Sequence, residues 1–200
     1  LYIPAQDASG VSKFAVWQEG MTLSPALNTV RSAKDLFFPQ VENLMGFKVT
    51  GKQIEVLENR DVTAPFVLFG VRACDCRSFD VLDRVFLAEP VDTYYQTRRE
   101  NGTIVTMACT EPEETCFCGA FGIDAAEPAG DVTCWLDGEN LYWRANTEKG
   151  EALTKSLSCL ADGGDEAVAA QQAQTRAVMQ KLPLHDLDLS SFGAGKTKEL

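Results

Sequence analysis

Two short runs of apolar and β-branched residues stand out along the chain, Phe66-Val67-Leu68-Phe69-Gly70-Val71 and Ile104-Val105-Thr106-Met107-Ala108. Each reads as a buried strand, and each gives way to cysteine where the apolar run stops. Between them Phe79, Leu82, Val85 and Phe86 recur at helical spacing and predict a helix over Ser78 to Leu87. Strand, helix, strand within one sheet is a crossover that makes the two strands parallel, with their C-terminal ends on the same edge. Cys74 and Cys76 then approach Cys109, and Cys116 and Cys118 follow in the next loop.

The rest of the pattern is shorter-ranged. Lys13 to Trp17 predicts a strand, followed by a turn at Glu19-Gly20. Ser32, with Asp35 three residues on, predicts a helix start, and a helix or helical turn over Ala33 to Met45 broken near Phe38 by Pro39. Phe47 to Val49 and Gln53 to Leu57 predict two short strands around Thr50-Gly51, and Asn59 to Pro65 a polar connection. Thr93 to Glu100 predicts a short helix ahead of the Asn101-Gly102 turn signal. Val132 to Leu136 and Leu141 to Ala145, flanking Asp137-Gly138-Glu139-Asn140, predict a β-hairpin. Two C-terminal helices follow, Glu148 to Leu160 and, capped by Asp165, a second to about Leu182, where Pro183 ends it. The fold class is therefore α/β: a mixed sheet with a βαβ unit bearing the cysteine loops at one sheet edge, plus a hairpin and C-terminal helices. An α+β arrangement is the alternative. The expected organisation is a cysteine-rich domain over residues 1–183 and a linker or tail over 184–200 in which His185 is exposed.

Composition narrows the function. The 200 residues carry a formal net charge of −11, which argues against general binding to nucleic acid or to an anionic membrane surface. No apolar run is long enough to cross a bilayer, and the start of the chain has no signal-peptide pattern. The chain begins with Leu1 rather than Met, so a piece of a longer protein is expected.

Five of the seven cysteines lie between residues 74 and 118. Cys134, in a predicted strand, and Cys159, in a predicted helix, fit buried structural positions. Clustered thiols in a reducing compartment bind metal or do chemistry more often than they form disulfides. Iron–sulfur clusters are held by thiolates, usually four. Here the spacing is C-x-C, a long gap, then C-x6-C-x-C, which differs from the tight ferredoxin run and from the pairs of structural zinc. Zinc, a catalytic thiol and chance burial all remain as readings of the spacing, and the alternative functions are a flavin- or substrate-binding domain with structural cysteines or a zinc-bearing assembly module. Arg72 and Arg77 flank the first pair and would offset the charge of a thiolate-bound group, or simply pair with Asp75 and Asp80. Tyr94, Tyr95, Arg98 and Arg99 would either line a docking face or pocket, or form a solvated helix with its aromatics packed inward.

As a set, several motifs resemble the iron–sulfur β subunits of cytoplasmic sulfhydrogenases (hydrogenase/sulfur reductase), to which the A component of anaerobic sulfite reductase is similar. They are Phe38-Pro39-Gln40-x-Glu42-x-Leu44, Gly70-Val71-Arg72-Ala73-Cys74-Asp75, Leu82-Asp83, Asp92-x-Tyr94-Tyr95-x-x-Arg98-Arg99-x-Asn101 and Ala108-Cys109-Thr110-Glu111-Pro112-x-x-x-Cys116-Phe117-Cys118. The resemblance runs from about Lys34 to Gly150 and implies an electron-transfer domain of a cytoplasmic redox complex, not itself catalytic. It implies one [4Fe–4S] cluster on Cys74, Cys109, Cys116 and Cys118, with Arg72 and Arg77 beside it and Cys76 as a spare. The partners it implies are a flavin- and nicotinamide-binding subunit, together with a catalytic hydrogenase or reductase subunit. Such proteins usually continue into a ferredoxin-like domain, whose C-x2-C-x2-C-x3-C-P runs do not occur in these 200 residues.

Overall fold

The computed structural model describes residues 1–57 and 64–190. Most of the predicted 59–65 connection and the end of the predicted tail, 191–200, lie outside the described residues. Two compact units divide the chain: Leu1–Phe69 with Ser78–Ile104, and Gly70–Arg77 with Val105–Leu200. The architecture is mixed α/β, as the pattern predicts.

In the first unit, strand β1 (Tyr2–Gln6) pairs antiparallel with β2 (Ser12–Val16) and, at Tyr2↔Leu68, parallel with β5 (Phe66–Val71). The pattern alone misses β1, because Pro4 and Gln6 interrupt its apolar run. The predicted helix after Ser32 shrinks to a single 3-10 turn, Ala33–Leu36, capped by the Ser32 hydroxyl. That turn delivers Phe37, fully buried, to a cluster with Phe66 and Phe79. Strands β3 (Gly46–Thr50) and β4 (Gln53–Leu57) form a separate antiparallel hairpin around Gly51, whose φ of 63° suits a tight turn.

Helix α1 (Ala73–Phe86) starts five residues earlier than its apolar spacing predicts, so Cys74 and Cys76 lie on a helix and not in a loop. Helix α2 (Thr93–Asn101) follows, with the Asp92 carboxylate accepting from the N–H groups of Tyr94 and Tyr95. Tyr95 and Arg98 of this helix are buried. The Arg99 guanidinium donates twice to Asp83, each at 2.8 Å, and the Tyr95 hydroxyl donates to the same carboxylate at 2.6 Å. Arg98, 5% exposed, pairs with Glu42 through both terminal nitrogens. Burial opposes ionisation of Asp83, but Arg99 and Tyr95 outweigh it and hold the carboxyl below the usual carboxylate range. Most of the charged and aromatic family motif is thus spent on holding this unit together.

In the second unit, β6 (Gly102–Met107, which begins in the first) pairs parallel with β7 (Val132–Asp137), and β7 pairs antiparallel with β8 (Asn140–Ala145) as the predicted hairpin. Helix α3 (Glu148–Lys155) ends before the predicted Leu160, because the Ser156 hydroxyl donates to the Leu153 carbonyl and Leu157 only closes a turn. Cys159 is therefore exposed on a connection, not buried in a helix. Gly150 packs so tightly against the start of β7 that a Cβ there would collide with the Asp131 carbonyl. Helix α4 (Asp165–Met179) is preceded by Gly164, with φ 103°, so Asp165 supplies first-turn negative charge and not the cap. Residues beyond α4 fold back: the His185 ring lies against Gly119, a correction to the expectation of an exposed tail histidine.

Candidate metal centre

All five clustered cysteines belong to the second unit. β5 ends at Val71, Arg72 turns the chain, and Cys74 becomes the second residue of α1. At the start of a helix the first N–H groups have no partner within the helix. Here the hydrogen bond from the Cys118 thiol, and then the N–H groups of Asp75 and Cys74, bring the exposed Cys74 thiol down to about 7. Cys76 cannot share that position. Two residues along an α-helix turn the side chain through about 200°, and Cys76 faces inward, 8% exposed.

Cys109 sits just past β6 and its backbone is fixed from both sides. Ala108 N–H donates to Cys134 O, Cys109 N–H donates to Ala125 O, each at 2.9 Å, and the Thr175 hydroxyl of α4 donates to Cys109 O at 2.8 Å. Burial pushes the Cys109 thiol up to about 11, with Arg72 pulling the other way and Cys74 and Cys116 adding to the rise. Arg72 also donates to Ala108 O at 3.1 Å, which ties the start of α1 to the end of β6.

The loop after Cys109 closes on itself. Cys116 N–H donates to Glu113 O at 2.9 Å, and Cys118 opens a 3-10 turn, Cys118–Phe121, that ends at Gly122 with φ 65°. The Cys118 thiol is raised well above the thiol range, first by its hydrogen bond to Cys74, then by burial and by Cys74, Cys109 and Cys116. Cys74 and Cys116 thus act on Cys109, and Cys74, Cys109 and Cys116 all act on Cys118. Like charges brought together resist ionisation, so this site disfavours four thiolates unless a cationic group joins them. That is the donor chemistry of a thiolate-bound metal group. Among the described residues, no three His, Cys, Asp or Glu side chains are gathered as a single metal ion needs.

Comparison with known proteins bears on the same chain. Over 96 residues, 48% of its length, it is 38% identical to Sulfhydrogenase 2 subunit beta of Pyrococcus furiosus. Over that half, the chain is a homologue of a sulfhydrogenase β subunit. The match spans 27% of that sulfhydrogenase protein, so the chain covers about a quarter of the curated relative it matches. No family model and no solved structure matches the chain.

For a sulfhydrogenase β-subunit homologue, the placement of the remaining predicted residues is informative. Arg72 is the guanidinium that acts on Cys109, whereas Arg77 is exposed on α1. Cys134 is fully buried in β7, where burial alone pushes its thiol up to about 12. Thr175 and His185 were not legible as site residues: one reaches Cys109 across 66 positions, and the other packs on the residue after Cys118. No local pattern announces either.

Proposed function

We propose that this chain is an electron-transfer domain of an iron–sulfur subunit, holding one [4Fe–4S] cluster on Cys74, Cys109, Cys116 and Cys118, within a cytoplasmic hydrogenase or sulfur (or sulfite) reductase complex. What supports the proposal is that thiols from three segments lie close enough to act on one another: Cys118 on Cys74, and Cys74 and Cys116 on both Cys109 and Cys118. The homology to a protein named as a sulfhydrogenase β subunit supports the setting. When bound, such a cluster takes up one electron and gives it back, at a potential set by charge, burial and hydrogen bonds to sulfur.

The chain's own residues set those conditions. The Cys109 backbone, held at both its N–H and its carbonyl, fixes one ligand rigidly. The start of α1 presents Cys74 with N–H groups directed at its sulfur, which stabilise negative charge there. Arg72 supplies a cation beside Cys109. Cys74 is exposed, which keeps one side of the site open to an electron partner. In the proposed complex the partners are a flavin- and nicotinamide-binding subunit, together with a catalytic hydrogenase or reductase subunit. Among the described residues no helix is long and apolar enough to cross a membrane.

Iron and sulfide analysis after anaerobic reconstitution tests the reading. Brown protein with about four irons per chain is expected for the parent sequence, with iron lost in Cys74→Ser and Cys116→Ser and kept in Cys134→Ser and Cys159→Ser. Full iron in both Cys74→Ser and Cys116→Ser, or a colourless protein carrying zinc, would replace this proposal with another.

A further inference from the structure

Strands β3 and β4 form a sheet of their own, and all of their residues except Gly46 are exposed. A two-stranded sheet standing alone in water is marginally stable at best. The antiparallel register sets Phe47 opposite Val56 and Val49 opposite Ile54. Side chains alternate between faces along a strand, so these four share one face. They are 71%, 67%, 58% and 70% exposed, in that order. Met45, 65% exposed, continues the alternation just ahead of β3. The other face carries the cross-strand pairs Lys48–Glu55 and Thr50–Gln53. The hairpin is amphipathic, yet its apolar side is left as open as its polar side.

We infer that this face is covered by the same face of a second copy of the chain, in a twofold dimer where two hairpins stack as a four-stranded sandwich. Area, shape and charge each favour that occupant. Five side chains of this size and exposure come to roughly 600 Å² per copy, the upper end of what a lone soluble protein leaves as one apolar patch. Two such faces together bury roughly 1,200 Å², the lower end of a stable specific interface. Sheet faces pack on sheet faces, and a twofold contact sets the same patch on both sides, which an uncharged strand face permits. The chain carries a net charge of −11, so two copies repel on approach. None of the five apolar residues is charged, and the hairpin as a whole has two lysines, Lys48 and Lys52, against one acid, Glu55. Two acidic chains therefore meet there at little electrostatic cost. The inference uses no residue of the thiol site and does not depend on a bound metal.

The test is sedimentation velocity on the full chain, kept reduced with dithiothreitol so that no disulfide joins two copies. The expected result is a reversible monomer–dimer equilibrium without larger species, tightening as salt screens the net charge. Ile54→Lys sets a charge in the middle of the face and should weaken the dimer by at least about a hundredfold. Val81→Lys adds the same charge at an exposed position of α1 and should leave the dimer intact. Circular dichroism checks that both variants are folded, and Phe47→Ser, which adds no charge, replaces Ile54→Lys if that variant is not. Amide hydrogen exchange over residues 46–57 should slow as the dimer forms. A dimer that Ile54→Lys and Phe47→Ser leave unchanged, or protection confined to other segments, overturns the inference. So does a monomer at every concentration, which would leave the face to a chain of another sequence.

Discussion

Two groups of ionisable side chains, one in each unit, follow opposite logic. Around α2, opposite charges meet: Asp83 with Arg99 and Tyr95, and Glu42 with Arg98. Each charge has its counter-charge within the protein, and the ionised form of Asp83 is favoured. Around Cys118, groups of one kind meet, and each thiol that ionises makes the next one harder to ionise. The first group is complete in itself and stabilises the fold. In the second group Cys109 and Cys118 are held protonated, with Arg72 pulling the Cys109 thiol the other way. Residues of the same family motif set are found in both groups, so a shared motif alone does not distinguish support from chemistry. The sign of the neighbouring charges does.

The largest expected effect breaks the complete group. Glu42→Gln leaves Arg98, 5% exposed, without its counter-charge and should cost roughly 3 kcal/mol in urea unfolding of the metal-free chain. Cys118→Ser in the same assay should cost less than about 1 kcal/mol, because the thiol group is not what holds the unit. Equal losses would erase the contrast.

The two groups also predict opposite pH limbs. The Asp83 pKa is lowered in the folded protein, so its stabilisation is fully present above the unfolded carboxyl value of about 3.9 and is lost as pH falls through the folded value. Asp83→Asn should flatten that acid limb. Burial raises the Cys134 thiol to about 12, so its contribution is fully present below the unfolded thiol value of about 8.5 and is lost as pH rises through the folded value. Thermal melts of Cys134→Ala against the parent sequence should show a shallower alkaline loss, and parallel curves would count against a buried neutral thiol.

The smallest effect is at the link between α4 and the site. Thr175→Val removes the hydroxyl that donates to Cys109 O and should cost about 1 kcal/mol. Alkylation of Cys109 in the metal-free variant should also become faster, because the residue is held in place partly by that bond. Unchanged alkylation would mean that the Ala125 carbonyl suffices.

Much of this architecture was legible in the sequence where local pattern and final environment agree. Strands β5, β6 and β7 are read correctly because buried strands are rich in apolar, β-branched residues, and β8, which has no buried residue, because the turn at Asp137-Gly138 signals a hairpin. β1 escapes because proline and glutamine break its run. The first turn of α1 escapes because its buried residues, Ala73 and Cys76, are too small and too few to mark an apolar stripe. Leu157 and Leu160 extend the spacing of α3 beyond the helix, which ends where the Ser156 hydroxyl bonds the Leu153 carbonyl. Strand order directs all five clustered cysteines toward one edge, and they do fall in one unit; the narrower set of four is what the family resemblance implies. Thr175 and His185 reach the site through tertiary packing, which leaves no periodic trace.

Gly150 shows what such packing does to inheritance. The Asp131 carbonyl occupies the space of a Cβ there, so every side chain, even the methyl of alanine, demands that α3 or the start of β7 move. Chains that keep this register of helix on strand should therefore be monomorphic at this position over long divergence, while the exposed helical residues beside it, Lys149 and Glu151, drift. A relative with alanine or serine there has moved α3, and its β7–β8 hairpin cannot be superposed on this one in detail.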